Sequence, residues 1–245
     1  MKNLWMSTFT FALLLSFGVI LTSCDNEEPE EPQTTSISDE EIIEIVSAAT
    51  ASSTEGVTAE AIEMAYVADA VLEKGPSPLE CGETADSTFV RTIDLDRISG
   101  SYSNYLYWGL NCSGVLPTSI FYGREMNGNY ETDRWLSDDS ADSDWLIEDL
   151  LTGPNYIFNG QYERTGTQES KVREMRSFST TTLIEVQDLN IDKGQKEIES
   201  GLANFTLSGT INGETSFEHT GTIVFLGDGA ANLIINGNTY TIDLY

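Results

Sequence analysis

From about Asp86 to Tyr245, apolar side chains return at every second residue along short runs rich in Thr, Tyr, Phe, Ile and Val, with Gly, Asn and Asp between them. That period belongs to strands burying one face, which restricts the stretch to antiparallel β structure. Two hairpins can be registered from the pattern. Phe205, Leu207 and Ile211 alternate with polar residues, and beyond Asn212-Gly213 the alternate positions are Phe217, His219, Gly221, Ile223 and Phe225. A two-residue turn at Asn212-Gly213 would set Leu207 opposite Glu218 and mix the faces. The register therefore predicts a three-residue loop or a bulge, pairing Leu207 with His219, Phe205 with Gly221 and Gly209 with Phe217. At Asn236-Gly237 a two-residue turn works directly, setting Leu233 against Tyr240 and Ala231 against Ile242. Runs at 89–95, 102–112, 119–126, 155–164 and 176–189 fit the same scheme. About eight to eleven strands in sequence, joined by short turns, predict a mainly β fold: an antiparallel meander forming a barrel or sandwich.

Two short helices precede it. Ser38-Asp39-Glu40-Glu41 is a capping box, and Ile42, Ile45, Val46 and Ala49 follow at the spacing of one helix face. Residues 52–56 break this helix, and Thr58 offers a second N-cap. Ala61, Met64, Ala65, Ala68, Val71 and Leu72 then share a face until Lys74-Gly75-Pro76 stops the chain. Such a pair is expected to pack on the β domain. The organisation is a leader over 1–23, a tether over 24–37, a helical pair over 38–74 and the β domain over 75–245.

Charge excludes several functions. The 245 residues carry 40 Asp and Glu against 12 Lys and Arg, a formal net charge of −28. A surface this acidic repels phosphate backbones, so no nucleic-acid partner is expected. The one histidine, His219, rules out a multi-histidine metal site.

Lys2 precedes an apolar run from Phe9 to Leu21, which is short for a bilayer span and flanked as an export leader is. The run ends Leu21-Thr22-Ser23-Cys24, which resembles a bacterial lipobox. The resemblance implies that Cys24 is lipidated, becomes the first mature residue and joins the chain to a membrane through acyl chains. Residues 25–36 hold five acidic residues, two prolines and no apolar side chain, the composition of an extended tether. A cysteine followed at once by such a tract resembles surface lipoproteins of Bacteroidota-type bacteria. That resemblance covers only the first 35 or so residues and implies an outer-membrane, surface-exposed location. An Asp directly after the cysteine favours the inner membrane in enterobacterial-type sorting, so a periplasm-facing location is the alternative.

With Cys24 acylated, Cys81 and Cys112 remain, an even pair in an exported chain, and a disulfide is expected between them. Asp138, Ser140, Asp142 and Asp144 stand at alternate positions with Asp149 twelfth from Asp138, loosely imitating a calcium loop. Ser143 stands where that loop needs Gly, and the closing ligand is Asp in place of Glu. The stretch is therefore expected to be a solvated loop around a buried Trp145, with no metal and no cofactor. Tyr105 and Tyr107 alternate with Leu106 and Trp108, which puts the tyrosines together on one face as a candidate platform for stacking sugar rings. Arg164, Lys171, Arg173 and Arg176 cluster, either to receive an anion or to pair across strands with Glu163, Glu169 and Glu174. His219 shares a strand face with Phe217 and Ile223 and is expected to be structural.

No Gly-x-Ser-x-Gly, Ser-x-x-Lys or phosphate-cradling glycine loop occurs in the chain. The expectation is a non-catalytic lipoprotein that binds a glycan, peptide or envelope protein. A hydrolase using two carboxylates, or a purely structural envelope component, is the alternative.

Overall fold

The computed structural model describes residues 36–72, 79–172 and 174–245. The leader, Cys24, the tether as far as Thr35, the Lys74-Gly75-Pro76 stop and Arg173 lie outside the described residues. Helix α1, Asp39–Thr50, begins at the capping box: the Glu41 carboxylate accepts the Ser38 N–H at 2.9 Å while the Ser38 hydroxyl oxygen accepts the Glu41 N–H. Ile42, Ile45, Val46 and Ala49 form its buried stripe. The packed domain starts slightly before the expected end of the tether, because Ile37 is buried and the Ser36 carbonyl accepts from Arg176.

A single 3-10 turn, Ser52–Thr54, leads to α2, Val57–Leu72. Here the expected cap is corrected. The helix starts ahead of Thr58, with the Gly56 carbonyl accepting the Glu60 N–H at 3.2 Å, and Thr58 is buried in the first turn. Glycine is required at position 56, since a Cβ there would stand 2.5 Å from the Ala49 carbonyl oxygen.

Among the described residues ten strands follow: β1 Thr84–Leu95, β2 Ile98–Ser113, β3 Leu116–Thr132, β4 Trp135–Glu148, β5 Asn155–Ser170, β6 Ser177–Asp192, β7 Ile198–Ile211, β8 Thr215–Gly227, β9 Ala230–Ile235 and β10 Asn238–Asp243. Each pairs antiparallel with the next in one meander, as the short turns require. The β7–β8 hairpin has the three-residue loop, with Ile211 opposite Thr215 and Leu207 opposite His219. Asn236 and Gly237 both take positive φ, the conformation of a two-residue turn matched to strand twist, and Leu233 faces Tyr240.

The sheet does not close into a barrel, because β1 and β10 remain its margins. The helical pair covers one face. Arg91 on β1 reaches Glu55 at 3.2 Å and Glu63 at 2.9 Å, while Tyr240 on β10 reaches Asp39 at 3.1 Å. Ten strands at ~4.8 Å spacing would span roughly 45 Å if flat, more than two helices about 10 Å wide can touch at both margins, so the sheet curls around the pair. Along β10, Asp39 bonds Asn236 and Tyr240 at one end and the Ser52 N–H donates to the Leu244 carbonyl at the other. The start of α1 and the 3-10 turn behind it are thus tied to the two ends of β10.

The acidic stretch from Asp138 is strand β4, not a loop. Trp135, Ala141, Trp145 and Ile147 are buried with Ser137, Asp139 and Ser143 between them, and Asp138, Asp142 and Asp144 face solvent. Cys81 and Cys112 are joined, with their Cα atoms 5.6 Å apart, tying the approach to β1 onto the end of β2.

Candidate functional site

The inner face of the sheet meets the helices through buried charge. Glu55, at the turn between the helices and at positive φ, accepts from Arg124 at 2.6 Å and Arg91 at 3.2 Å. Arg124 also donates from its Nε to Asn104 at 2.8 Å. One strand pair away, Arg164 donates to Asp139 at 2.8 Å, to the Tyr102 hydroxyl at 2.7 Å, and to the Ala48 and Thr54 carbonyls at 3.0 Å each. Those two carbonyls belong to the end of α1 and the 3-10 turn, so one guanidinium holds the helical pair on the sheet. Arg176 bonds Glu41. Burial works against the charge there, yet bonds from Arg176 and Ser38 hold the Glu41 carboxyl below its usual range.

Glu60, in the first turn of α2, is sealed under the helix, where it accepts a bond from the Ser143 hydroxyl. Burial pushes its carboxyl above the ordinary range against the pull of Arg124 and Ser143. Its Oε2, the Tyr122 hydroxyl and the Trp145 N–H make no hydrogen bond among the described residues. Burial, with Glu60 second, also drives the Tyr122 hydroxyl well up.

These contacts correct the pairing expected for the basic cluster. Successive strand residues point to opposite faces, so Arg164 turns inward to Asp139 while Glu163 faces solvent. Lys171 bonds Glu131 at 2.5 Å, and Arg176 keeps only a long 3.6 Å contact to Glu174 beside its bond to Glu41. The cluster therefore forms no free basic patch among its described members. His219 lies on β8 beside Phe217, their ring centroids 6.3 Å apart.

Tyr105 and Tyr107 stand together on the outer face of β2, as alternation requires. Their ring centroids are 6.2 Å apart at an interplanar angle of 33°, and Tyr105 is 39% exposed. The Tyr107 ring lies across Gly123 on β3, where any Cβ would strike it, and its hydroxyl donates to Asp144 on β4 at 2.8 Å. That bond, with some burial, raises the hydroxyl to about 12. Around the pair the register sets Glu125 opposite Tyr105 and Asp142, and Gln161 opposite Asp144. The result is an aromatic surface bordered by oxygen acceptors. Asp138, Asp142 and Asp144 do not converge, because alternate positions on a strand lie ~7 Å apart. Among the described residues no three His, Cys, Asp or Glu side chains are grouped as metal ligands would be.

Between α1 and one end of β2, β3 and β4 lies an open groove of about 360 Å³, walled by Ile43 and Ala48 on the helix and by Ile98, Tyr130 and Trp135 on the sheet. Arg97, Asp133, Arg134 and Glu44 stand at its mouth. Trp135 is fixed by its N–H bond to Glu44 at 2.7 Å, and Arg134 donates to the same carboxylate at 2.6 Å. Its walls come from positions far apart in the chain, so no local motif marks them.

Compared with known protein families, with curated proteins and with solved structures, the chain matches none.

Proposed function

We propose that this protein is a non-catalytic envelope lipoprotein, held in the outer membrane by acyl chains on Cys24 and displayed at the cell surface, that binds a glycan on Tyr105 and Tyr107. The lipobox-like Leu21-Thr22-Ser23-Cys24 and the acidic tract behind it support the address. The observation that carries the binding reading is the Tyr107 ring laid over Gly123 and pinned by Asp144, beside a 39% exposed Tyr105. Aromatic faces stack on the apolar faces of sugar rings, while neighbouring carboxylates and amides accept or donate to hydroxyls. Glu60, the carboxyl that burial drives upward, is sealed away from solvent and cannot meet a substrate, which favours binding over carboxylate hydrolysis.

The test is a glycan panel read with the native chain and with Tyr105→Ala/Tyr107→Ala. A retained glycan that the double variant loses, at an unchanged melting temperature, is the expected result. An equal loss of fold, or no glycan retained by the native chain, overturns the assignment. Protease shaving of intact cells tests the address: β-domain peptides are expected without opening the outer membrane, and their release only afterwards places the domain in the periplasm.

A further inference from the structure

The tyrosine surface continues across the sheet as a line of carboxylates. The register sets Tyr105 on β2 opposite Glu125 on β3, Glu125 opposite Asp142 on β4, and Asp142 opposite Glu163 on β5. All three acids are exposed, and none has an ion-pair partner among the described residues. A second row runs beside the first, from Asp86 on β1 through Tyr107 and Gly123 to Asp144. Like charges directly opposite one another on neighbouring strands weaken a sheet, and Glu125, Asp142 and Glu163 make two such pairs in succession.

No Lys or Arg of the ten strands stands on that face to offset them. The strands hold Arg91, Arg124 and Arg164, and each is bonded on the inner side of the sheet, the first two to Glu55 and the third to the buried Asp139. The charges of Glu125 and Asp142 reach the Tyr107 hydroxyl, adding to the rise that its bond to Asp144 and some burial produce. The fold itself has no use for such a row. Uncharged Gln161 and Thr165 flank Glu163 on the same exposed face of β5, so a neutral side chain suits these positions equally well. Repulsion maintained beside an exposed aromatic pair therefore favours an occupant that brings positive charge. From Tyr105 to Glu163 the row crosses three strand steps, roughly 14 Å at ~4.8 Å each, the length of a few sugar rings laid end to end.

Resting on the reading of Tyr105 and Tyr107 as a glycan surface, we infer that its glycan is cationic: an oligosaccharide of amino sugars with free ammonium groups, its rings on the tyrosines and its ammonium groups at Glu125, Asp142 and Glu163. A neutral glycan would stack on the rings and leave the repulsion in place. A chain of uronic acids would add to it.

The test is calorimetric titration of the native chain at about pH 6, where exposed carboxylates are ionised, with a glucosamine tetramer, its fully N-acetylated counterpart and tetralysine. Exposed ion pairs are individually weak, but three along one short ligand multiply to a preference of about tenfold for the free amine over the N-acetylated tetramer. Glu125→Gln/Asp142→Asn/Glu163→Gln is expected to erase that preference and, with the repulsion gone, to melt no lower than the native chain. Tyr105→Ala/Tyr107→Ala is expected to lose both sugars. Equal binding of the two sugars by the native chain, or an undiminished preference in the triple variant, refutes the cationic assignment and leaves the glycan surface standing. A lower melting temperature of the triple variant refutes the argument from repulsion. Tetralysine bound as tightly as the glucosamine tetramer, and still bound by the tyrosine double variant, marks a surface for basic peptides and overturns the inference. Failure of both sugar tetramers while another glycan is retained refutes the amino-sugar assignment alone, whereas retention of no glycan refutes the tyrosine surface with it.

Discussion

Replacing Arg164 by Met keeps the volume of the side chain and removes the charge that joins sheet to helices. The Asp139 side chain is fully buried, and its Oδ1 already makes no hydrogen bond among the described residues. Without Arg164 the carboxylate keeps Ser137 at 2.6 Å and a marginal Tyr102 hydroxyl at 3.5 Å, while the Ala48 and Thr54 carbonyls lose the guanidinium that joined them. Breaking one side of a buried ion pair costs about 3–5 kcal/mol, mostly from the charge left behind. For a domain of this size each kcal/mol moves the melting temperature by ~2–4 °C, so a fall of roughly 6–20 °C is expected. Urea unfolding of Arg164→Met, Asp139→Asn and the double variant gives the coupling directly. The double variant is expected to recover at least ~1 kcal/mol relative to the sum of the singles, since neutralising Asp139 removes the stranded charge. Hydrogen exchange is expected to speed in α1 more than in the middle strands. A loss below ~1 kcal/mol, or strict additivity, would refute the view that this guanidinium holds the helical pair in place.

Two further outcomes follow from the buried groups. Because burial raises the Glu60 carboxyl, the native state keeps a proton that the unfolded chain releases above about pH 4.3, so this group's stability is full at lower pH and is lost as pH rises through the native value. Melting temperatures of Glu60→Gln measured from pH 4 to 8 are expected to decline less with rising pH than those of the native chain, and parallel curves would contradict the reading. Removing the Cys81–Cys112 bond by double Ser substitution is expected to cost about 3–4 kcal/mol by guanidinium denaturation, on the entropy of its 31-residue separation, and an unchanged midpoint would show that the link is not formed in solution.

What the chain disclosed in advance were its local agreements. The Ser38 capping box needs only four residues, and the three-residue loop at Asn212 follows from requiring one apolar face across two adjacent strands. Strand β4 is not legible in the sequence for a reason that lies elsewhere in the molecule. Its inward Ser137, Asp139 and Ser143 are polar because they answer Arg164 and Glu60, so the expected apolar alternation is interrupted where the helices bring charge. The start of α2 was displaced for a similar reason, since the contact that demands Gly56 comes from Ala49 on the preceding helix. Tyr105 and Tyr107 could be placed together because strand alternation alone puts them on one face. The groove could not, since its walls meet only when α1 packs against the ends of β2 to β4.

The seat of α1 along β10 has a consequence for the order in which the molecule can assemble. Every strand pairs with its neighbour in the chain, so hairpins can zip in turn as the polypeptide lengthens. The Asp39–Tyr240 contact instead spans 201 residues, and the bond from Ser52 reaches Leu244. The helices precede the sheet in the chain, and their bonds to Arg91, Arg124 and Arg164 need only β1 to β5, whereas those of Asp39 and Ser52 must wait for the last strand. A chain stopped before β10 would hold most of its ladder and yet leave Asp39 and the Ser52 N–H without the partners that seat α1 at this margin.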